Sequence, residues 1–276
     1  MPAGALLAAS EPAARVALLP AVSGTTSASG GSGTGCVVLQ RVVAASASNT
    51  VHVAVDGGRP VIIKTANSSA AGTGLRREYN LGMALNHRHL IKPRSWYADA
   101  PWGGIVFDYL SGGDLTQVAG FSPRYWQAPL VDVAEALEYL HRQGLAHRDV
   151  KARNVRLDEH GRATLVDLGS AEPFGSTRRH SGTTAATRLP AGVAMLGSAS
   201  SQVGAADDVY AYALLVEEMM EPSGCHLSRA DALSLAPLRR LAQSVRREPL
   251  RAPLCRLRDF RRLLVAINPA GAGPGR

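Results

Sequence analysis

One stretch of this 276-residue chain concentrates side chains able to do chemistry: His147-Arg-Asp-Val-Lys-Ala-Arg-Asn154. Counting from Asp149, Lys151 follows at two positions, Asn154 at five and a second aspartate, Asp167, at eighteen. A carboxylate can orient a hydroxyl and take its proton. An ammonium two residues on, on the same side of an extended loop, can steady negative charge as it develops. An amide oxygen and a second carboxylate are hard donors of the kind that hold Mg²⁺ between phosphates. Together these types suit phosphoryl transfer, which asks for positioning and charge neutralisation more than for covalent chemistry. A surface turn that merely contains His-Arg-Asp would leave the spacing to Asp167 unexplained.

This string, with Asp167-Leu-Gly, resembles the catalytic and metal-binding loops of the eukaryotic-type protein kinase family. The resemblance assigns Asp149 to the acceptor hydroxyl, Lys151 to the phosphoryl group in transit, and Asn154 and Asp167 to Mg²⁺. It implies a lysine on the third strand, supplied by Lys64 in VIIK, that reaches the α and β phosphates of ATP. A helix glutamate should hold that lysine, and Glu78 in LRREYNLG is the only acidic residue between Lys64 and Asp99. GIVFDYLSGGDL resembles the strand and hinge that receive adenine, with Phe107 at the gate, Asp108 to Leu110 offering backbone groups and Asp114 near the ribose. ADDVYAYALL resembles the central helix of the large lobe, where Asp208 would brace the catalytic loop.

The family's glycine-rich loop aligns with Val43, Ala44, Ala45, Ser46, Ala47, Ser48, Asn49, Thr50 and Val51. Ala44, Ser46 and Asn49 stand where glycines are usual, and their Cβ atoms restrict backbone approach. Weaker or unusual nucleotide binding is the expected consequence. The literal glycines of GGSGTG, Gly30 to Gly35, lie too far before Lys64 and read as linker. Ile62 replaces a small residue over the adenine, and Leu168 replaces phenylalanine after Asp167. The usual A-P-E reads Ala194-Met195-Leu196, so the glutamate that Arg251 would pair with is missing. The stretch from Met220 to Arg251 is short for the family.

The elements that must position these groups are also legible. Residues 1–36 are rich in Ala, Gly, Ser, Thr and Pro and read as a flexible leader. VVLQRVVA, TVHVAV and VIIK are β-branched runs punctuated by DGGRP, which predicts an antiparallel meander. LRREYNLGMALNHRHLI has helical spacing through Leu75, Tyr79, Met83 and Leu85, and apolar runs follow around SWY and GIVFDYL. After Gly112-Gly-Asp114 the pattern turns helical, with Leu130, Val133, Ala134, Leu137 and Leu140 on one face. The expected fold is α+β and bilobal: a β-rich lobe with one main helix over about 37–110, a mostly helical lobe over about 111–265, and a disordered tail at 266–276.

Composition bounds the rest. With 46% hydrophobic residues the chain can bury a core, which excludes wholly disordered, collagen-like and small disulfide-stapled classes. Cys36, Cys225 and Cys255 are scattered and odd in number, so reduced thiols and no structural zinc are expected. No apolar run is long enough to cross a membrane, and the N-terminus lacks a basic region before its apolar stretch. A soluble, intracellular protein of open compartment and open oligomeric state is the expectation. The net charge of +8 sits in residues 236–276, where arginines alternate with leucines at helical spacing. Solvated helix faces explain them better than nucleic-acid binding does.

Lysine is scarce: 3 of 30 basic residues, with two at Lys64 and Lys151. Random placement would fill both motif positions with lysine about once in 145. Arginine's planar fork is a poor substitute where a compact ammonium must sit among phosphate oxygens. The resemblance implies ATP- and Mg²⁺-dependent phosphorylation of protein substrates, with Lys151 favouring Ser/Thr hydroxyls. Thr183, Thr184 and Thr187 lie where activating phosphates commonly sit. Two alternatives stand beside it: a nucleotide-binding pseudokinase scaffold, and a small-molecule phosphotransferase, against which Lys151 argues.

Overall fold

The β-branched runs of the first third pair into one antiparallel sheet, β1 (Val37–Ala45), β2 (Asn49–Asp56), β3 (Arg59–Ala66), β4 (Pro93–Tyr97) and β5 (Gly104–Asp108), ordered β1-β2-β3-β5-β4. The computed structural model describes residues 37–119, 121–176, 204–220, 229–248 and 253–267. Gly57 and Gly58 form a two-residue hairpin with φ of 55° and 81°, a backbone that L side chains avoid and that matches the twist of the flanking strands. The resulting register places Lys64 opposite Val51 on one side and Ile105 on the other.

Helix α1 (Ser69–Ala84) starts where the Ser68 hydroxyl accepts from the Ala71 N–H and stops at Leu85. Its buried face carries Gly72, Leu75, Glu78 and Gly82. Met83, expected on that face, is exposed. Steps of four residues rotate about 40° further than one turn each, so a stripe begun at Leu75 has left the core by Met83. Glu78 therefore enters the interior with the apolar residues and needs a cation there.

The second lobe is built on α2 (Gln127–Arg142), α3 (Ala205–Met220), α4 (Arg229–Arg247) and α5 (Pro253–Ala266), with short pairs β6 (Leu145–Ala146) with β9 (Glu172–Pro173) and β7 (Val155–Leu157) with β8 (Ala163–Leu165). Leu130, Val133, Ala134, Leu137 and Leu140 are all fully buried, as their spacing predicts. They meet Val209, Tyr212 and Val216 of α3 and Phe260 of α5 in one core. Arg239, Arg240, Arg247, Arg258 and Arg262 lie on the exposed faces of α4 and α5, while Leu238, Val245 and Phe260 point inward. Buried Ile267 follows α5, beyond residue 265 where the domain was expected to end.

The lobes are registered by residues 89–91. The Leu165 N–H donates to the His89 carbonyl at 2.9 Å and the Ile91 N–H to the Leu165 carbonyl at 3.0 Å. This is the bilobal α+β architecture expected from the sequence. No helix among the described residues is long and apolar enough to cross a membrane. The leader, the A-P-E position, Arg251 and the three threonines lie outside the described residues.

Candidate active site

Between the lobes lies a cleft of about 480 Å³. Lys64 reaches into it from β3, its side chain only 12% exposed. Its ammonium donates to both Glu78 oxygens, at 2.8 and 3.1 Å, and to Asp167 Oδ1 at 2.8 Å. Burial alone would lower the Lys64 pKa, but the charges of Glu78 and Asp167 overcome it and hold the amine well above its usual range. Burial raises the Glu78 carboxyl, an effect only partly offset by Lys64. Burial would also raise Asp167, yet Lys64 outweighs it and the net shift is downward. The lysine thus joins sheet, helix and lower lobe through three charges.

Asp149 stands in the loop after β6. The Lys151 ammonium donates to both of its carboxylate oxygens, at 2.8 and 2.7 Å. The Asn154 amide donates to the Asp149 carbonyl and to its Oδ2, both at 2.8 Å. With the Asn154 nitrogen committed to Asp149, its oxygen is fixed as an acceptor. That oxygen and the Asp167 carboxylate form a hard donor set, and Mg²⁺ typically needs only one or two carboxylates besides phosphates and water. The residues therefore fit such an ion.

The loop's shape has its own support. Arg148 and Asp167 both adopt left-handed backbone, with φ of 67° and 68°. That conformation costs free energy in a non-glycine residue and persists only where its surroundings hold it. Asp208, buried in α3, accepts the backbone N–H groups of His147 at 2.8 Å and Arg148 at 2.7 Å. His141 Nε2 lies 2.8 Å from the same carboxylate. Burial would raise the Asp208 pKa, but His141 and the other donors more than reverse it.

Phe107 and Asp108 at the end of β5, with Tyr109 and Leu110 after it and Ile62 of β3, line one wall of the cleft. Asp108 points its carboxylate outward to Arg94 at 3.3 Å. Asp114 accepts from the Thr116 N–H and hydroxyl and pairs with Arg156 at 3.3 Å. Gly112 allows this chain to lie against β7: a Cβ there would stand within 2.9 Å of the Leu157 Cβ. Of the nine residues aligned with the glycine-rich loop, Val43, Ala44 and Val51 face the cleft. Ala45 and Ser46 to Thr50 instead form the hairpin end. There the Asn67 amide donates to the Ser46 carbonyl at 2.9 Å, its N–H donates to Ser48, and its side-chain oxygen accepts from Thr50.

Four contributors were not singled out in the sequence. His141 carried a signal, since it continues the buried stripe of α2. Arg156 alternates with buried Val155 and Leu157, which turns it toward the opposite side of β7. Arg77 donates to the Ala171 carbonyl at 2.7 Å and pairs with Glu172 at 3.1 Å, and Asn67 ties the hairpin; neither has a local signature.

The bilobal fold gathers a lysine, a helix glutamate and two loop aspartates where its lobes meet. The family model described as protein kinase domain matches residues 38–236. The chain belongs to the protein kinase domain family. It is 28% identical over 181 residues to a probable LRR receptor-like serine/threonine-protein kinase of Arabidopsis thaliana, covering 61% of this chain and 21% of that protein. It is 31% identical over 184 residues to receptor protein kinase WSS1 of Oryza sativa subsp. japonica, 59% of this chain and 20% of that one. A protein kinase and PP2C-like domain-containing protein of Arabidopsis thaliana is 34% identical over 137 residues, 47% and 21% of the two chains. The chain thus spans about a fifth of the length of these relatives.

Proposed function

We propose that this chain transfers the γ-phosphate of ATP to Ser or Thr hydroxyls of protein substrates, with Mg²⁺ as the required ion. The observation that carries the reading is the meeting of Lys64, Glu78 and Asp167 at one end of the cleft with Asp149, Lys151 and Asn154 in the facing loop. Lys64, held by two carboxylates, neutralises the α and β phosphates. Asn154 and Asp167 would hold the ion, which neutralises charge on the phosphates when bound. Asp149 orients the acceptor hydroxyl and takes its proton as that oxygen bonds to the γ-phosphorus and the bond to the bridging oxygen breaks, leaving ADP. Lys151 stays beside Asp149, steadying the charge on the moving group.

The test is incubation of the purified 276-residue chain with Mg²⁺, γ-labelled ATP and a Ser/Thr-rich protein. Label appears on serine or threonine, and transfer fails when Mg²⁺ is chelated. Label on tyrosine alone, or transfer that survives chelation, contradicts the reading. A nucleotide-binding scaffold is the second reading, favoured by Ile62 and by a hairpin end with side chains where glycines are usual. ATP-dependent thermal stabilisation with no transfer to any protein would select it.

A further inference from the structure

The third lysine of the chain, Lys92, does not line the cleft. Its ammonium donates to the Met83 and Leu85 carbonyls at the end of α1, each at 2.7 Å. The last carbonyls of a helix have no amide partner within it, and a cation is favoured beside them. Helix α1 carries no basic residue in its last turn, so that cation comes from the residue directly before β4. One compact ammonium with three donors meets both carbonyls, in a chain where lysine fills only 3 of 30 basic positions.

The place from which Lys92 reaches is itself fixed to the second lobe. The Asn86 N–H donates to the Tyr139 hydroxyl of α2 at 2.9 Å, and residues 89–91 are bonded to Leu165. Pro93 lies against Gly82, where a Cβ would stand 2.6 Å from the Pro93 Cγ. Lys92 and Pro93 together therefore clamp the last turn of α1 to the chain that registers the lobes. Glu78 precedes Leu85 by seven residues, about 10 Å along the helix, so a tilt of about 15° at that end moves its carboxylate by about 2.5 Å. Such a displacement breaks hydrogen bonds of 2.8 and 3.1 Å, the two that Glu78 accepts from Lys64.

Resting on the phosphotransfer reading above, we propose that Lys92 is a positioning residue for the reaction: by holding the C-terminal end of α1 it keeps Glu78 on Lys64, and so keeps Lys64 where phosphate is neutralised.

The experiment uses the full chain with its lysines labelled with ¹⁵N at Nζ, as wild type, Lys92→Met, Lys92→Gln and Glu78→Gln. Three lysines give three ammonium signals in wild type, and Glu78→Gln shows which way the Lys64 signal moves when its helix carboxylate is withdrawn. Lys92→Met is expected to move the Lys64 signal in that same direction and to lower kcat for a serine peptide about tenfold with the peptide KM unchanged. Lys92→Gln, which keeps an uncharged donor, does both to a smaller extent and stands in if the methionine variant does not fold. A Lys64 signal that keeps its wild-type position in a folded Lys92 variant overturns the proposal, even if the melting temperature falls, because a cap that serves stability alone leaves the ion pair untouched. A signal that moves while kcat stays unchanged also overturns it and leaves the phosphotransfer reading standing. Wild type that transfers phosphate to no peptide and no protein ends the underlying reading, and this proposal with it.

Discussion

Lys64 is the residue on which most of the site's electrostatics converges. Its ammonium answers two carboxylates, one of them inside the fold with 4% of its side chain exposed. Replacing it by methionine leaves Glu78 buried without a cation, which costs about 3–5 kcal/mol when the carboxylate stays ionised. Burial has already raised the Glu78 pKa, so the variant takes up a proton there and loses less at pH 5 than at pH 8; urea unfolding at both values checks this. Asp208 shows the opposite sign. Its folded pKa lies below the ordinary 3.8, so its contribution is complete above that value and is lost as pH falls through the folded one. Asp208→Asn is expected to be about 2–3 kcal/mol less stable at neutral pH and to lose less than wild type between pH 4 and pH 2, measured by urea unfolding. That Asp149, Lys151 and Asn154 would meet was readable because they share one short loop, with Asp167 in its sequel. His141 and Arg156 were harder, because their partners Asp208 and Asp114 lie 67 and 42 positions away.

Two elements decide how those residues are held. Helix α1 positions Glu78, and the hairpin of β1 and β2 roofs the cleft. The helix was legible as an element, but its buried face was not fully so: Glu78 and Gly82 carry it where Met83 was expected. The hairpin's length and strands were legible from their β-branched runs, whereas its tie to Asn67 depends on a residue that only the folded sheet brings near. Asn67→Ala removes two side-chain hydrogen bonds from this end, each contributing about 0.5–1.5 kcal/mol. The expected outcome is a severalfold rise in KM for ATP with little change in kcat, seen in steady-state kinetics. An unchanged KM would mean that the hairpin end does not shape nucleotide binding.

At the scale of the whole molecule, the lobes meet through the strand-like contact of residues 89–91 with Leu165, and through Lys64 reaching Asp167. Leu90, 5% exposed, sits at this seam and packs in the large-lobe core. Leu90→Ala is expected to cost about 2–5 kcal/mol in chemical unfolding. Hydrogen exchange should rise first at Ile91 and Leu165. The bilobal plan was legible from the switch between two-residue and helical periodicity near Gly112, but the full lining of the cleft was not, since Arg41 and Arg153 are 112 positions apart in sequence and face one cavity only in the fold.

The most direct test of the account is the transfer rate of Asp149→Asn beside wild type, with ATP binding measured on the same samples. Asparagine preserves the side chain's shape and one acceptor oxygen, but it gives up the charge pairing with Lys151 and cannot take a proton. The account predicts that ATP and Mg²⁺ bind with near-unchanged affinity while kcat falls at least 100-fold, in line with the loss of a general base. Transfer at the wild-type rate in Asp149→Asn would contradict it.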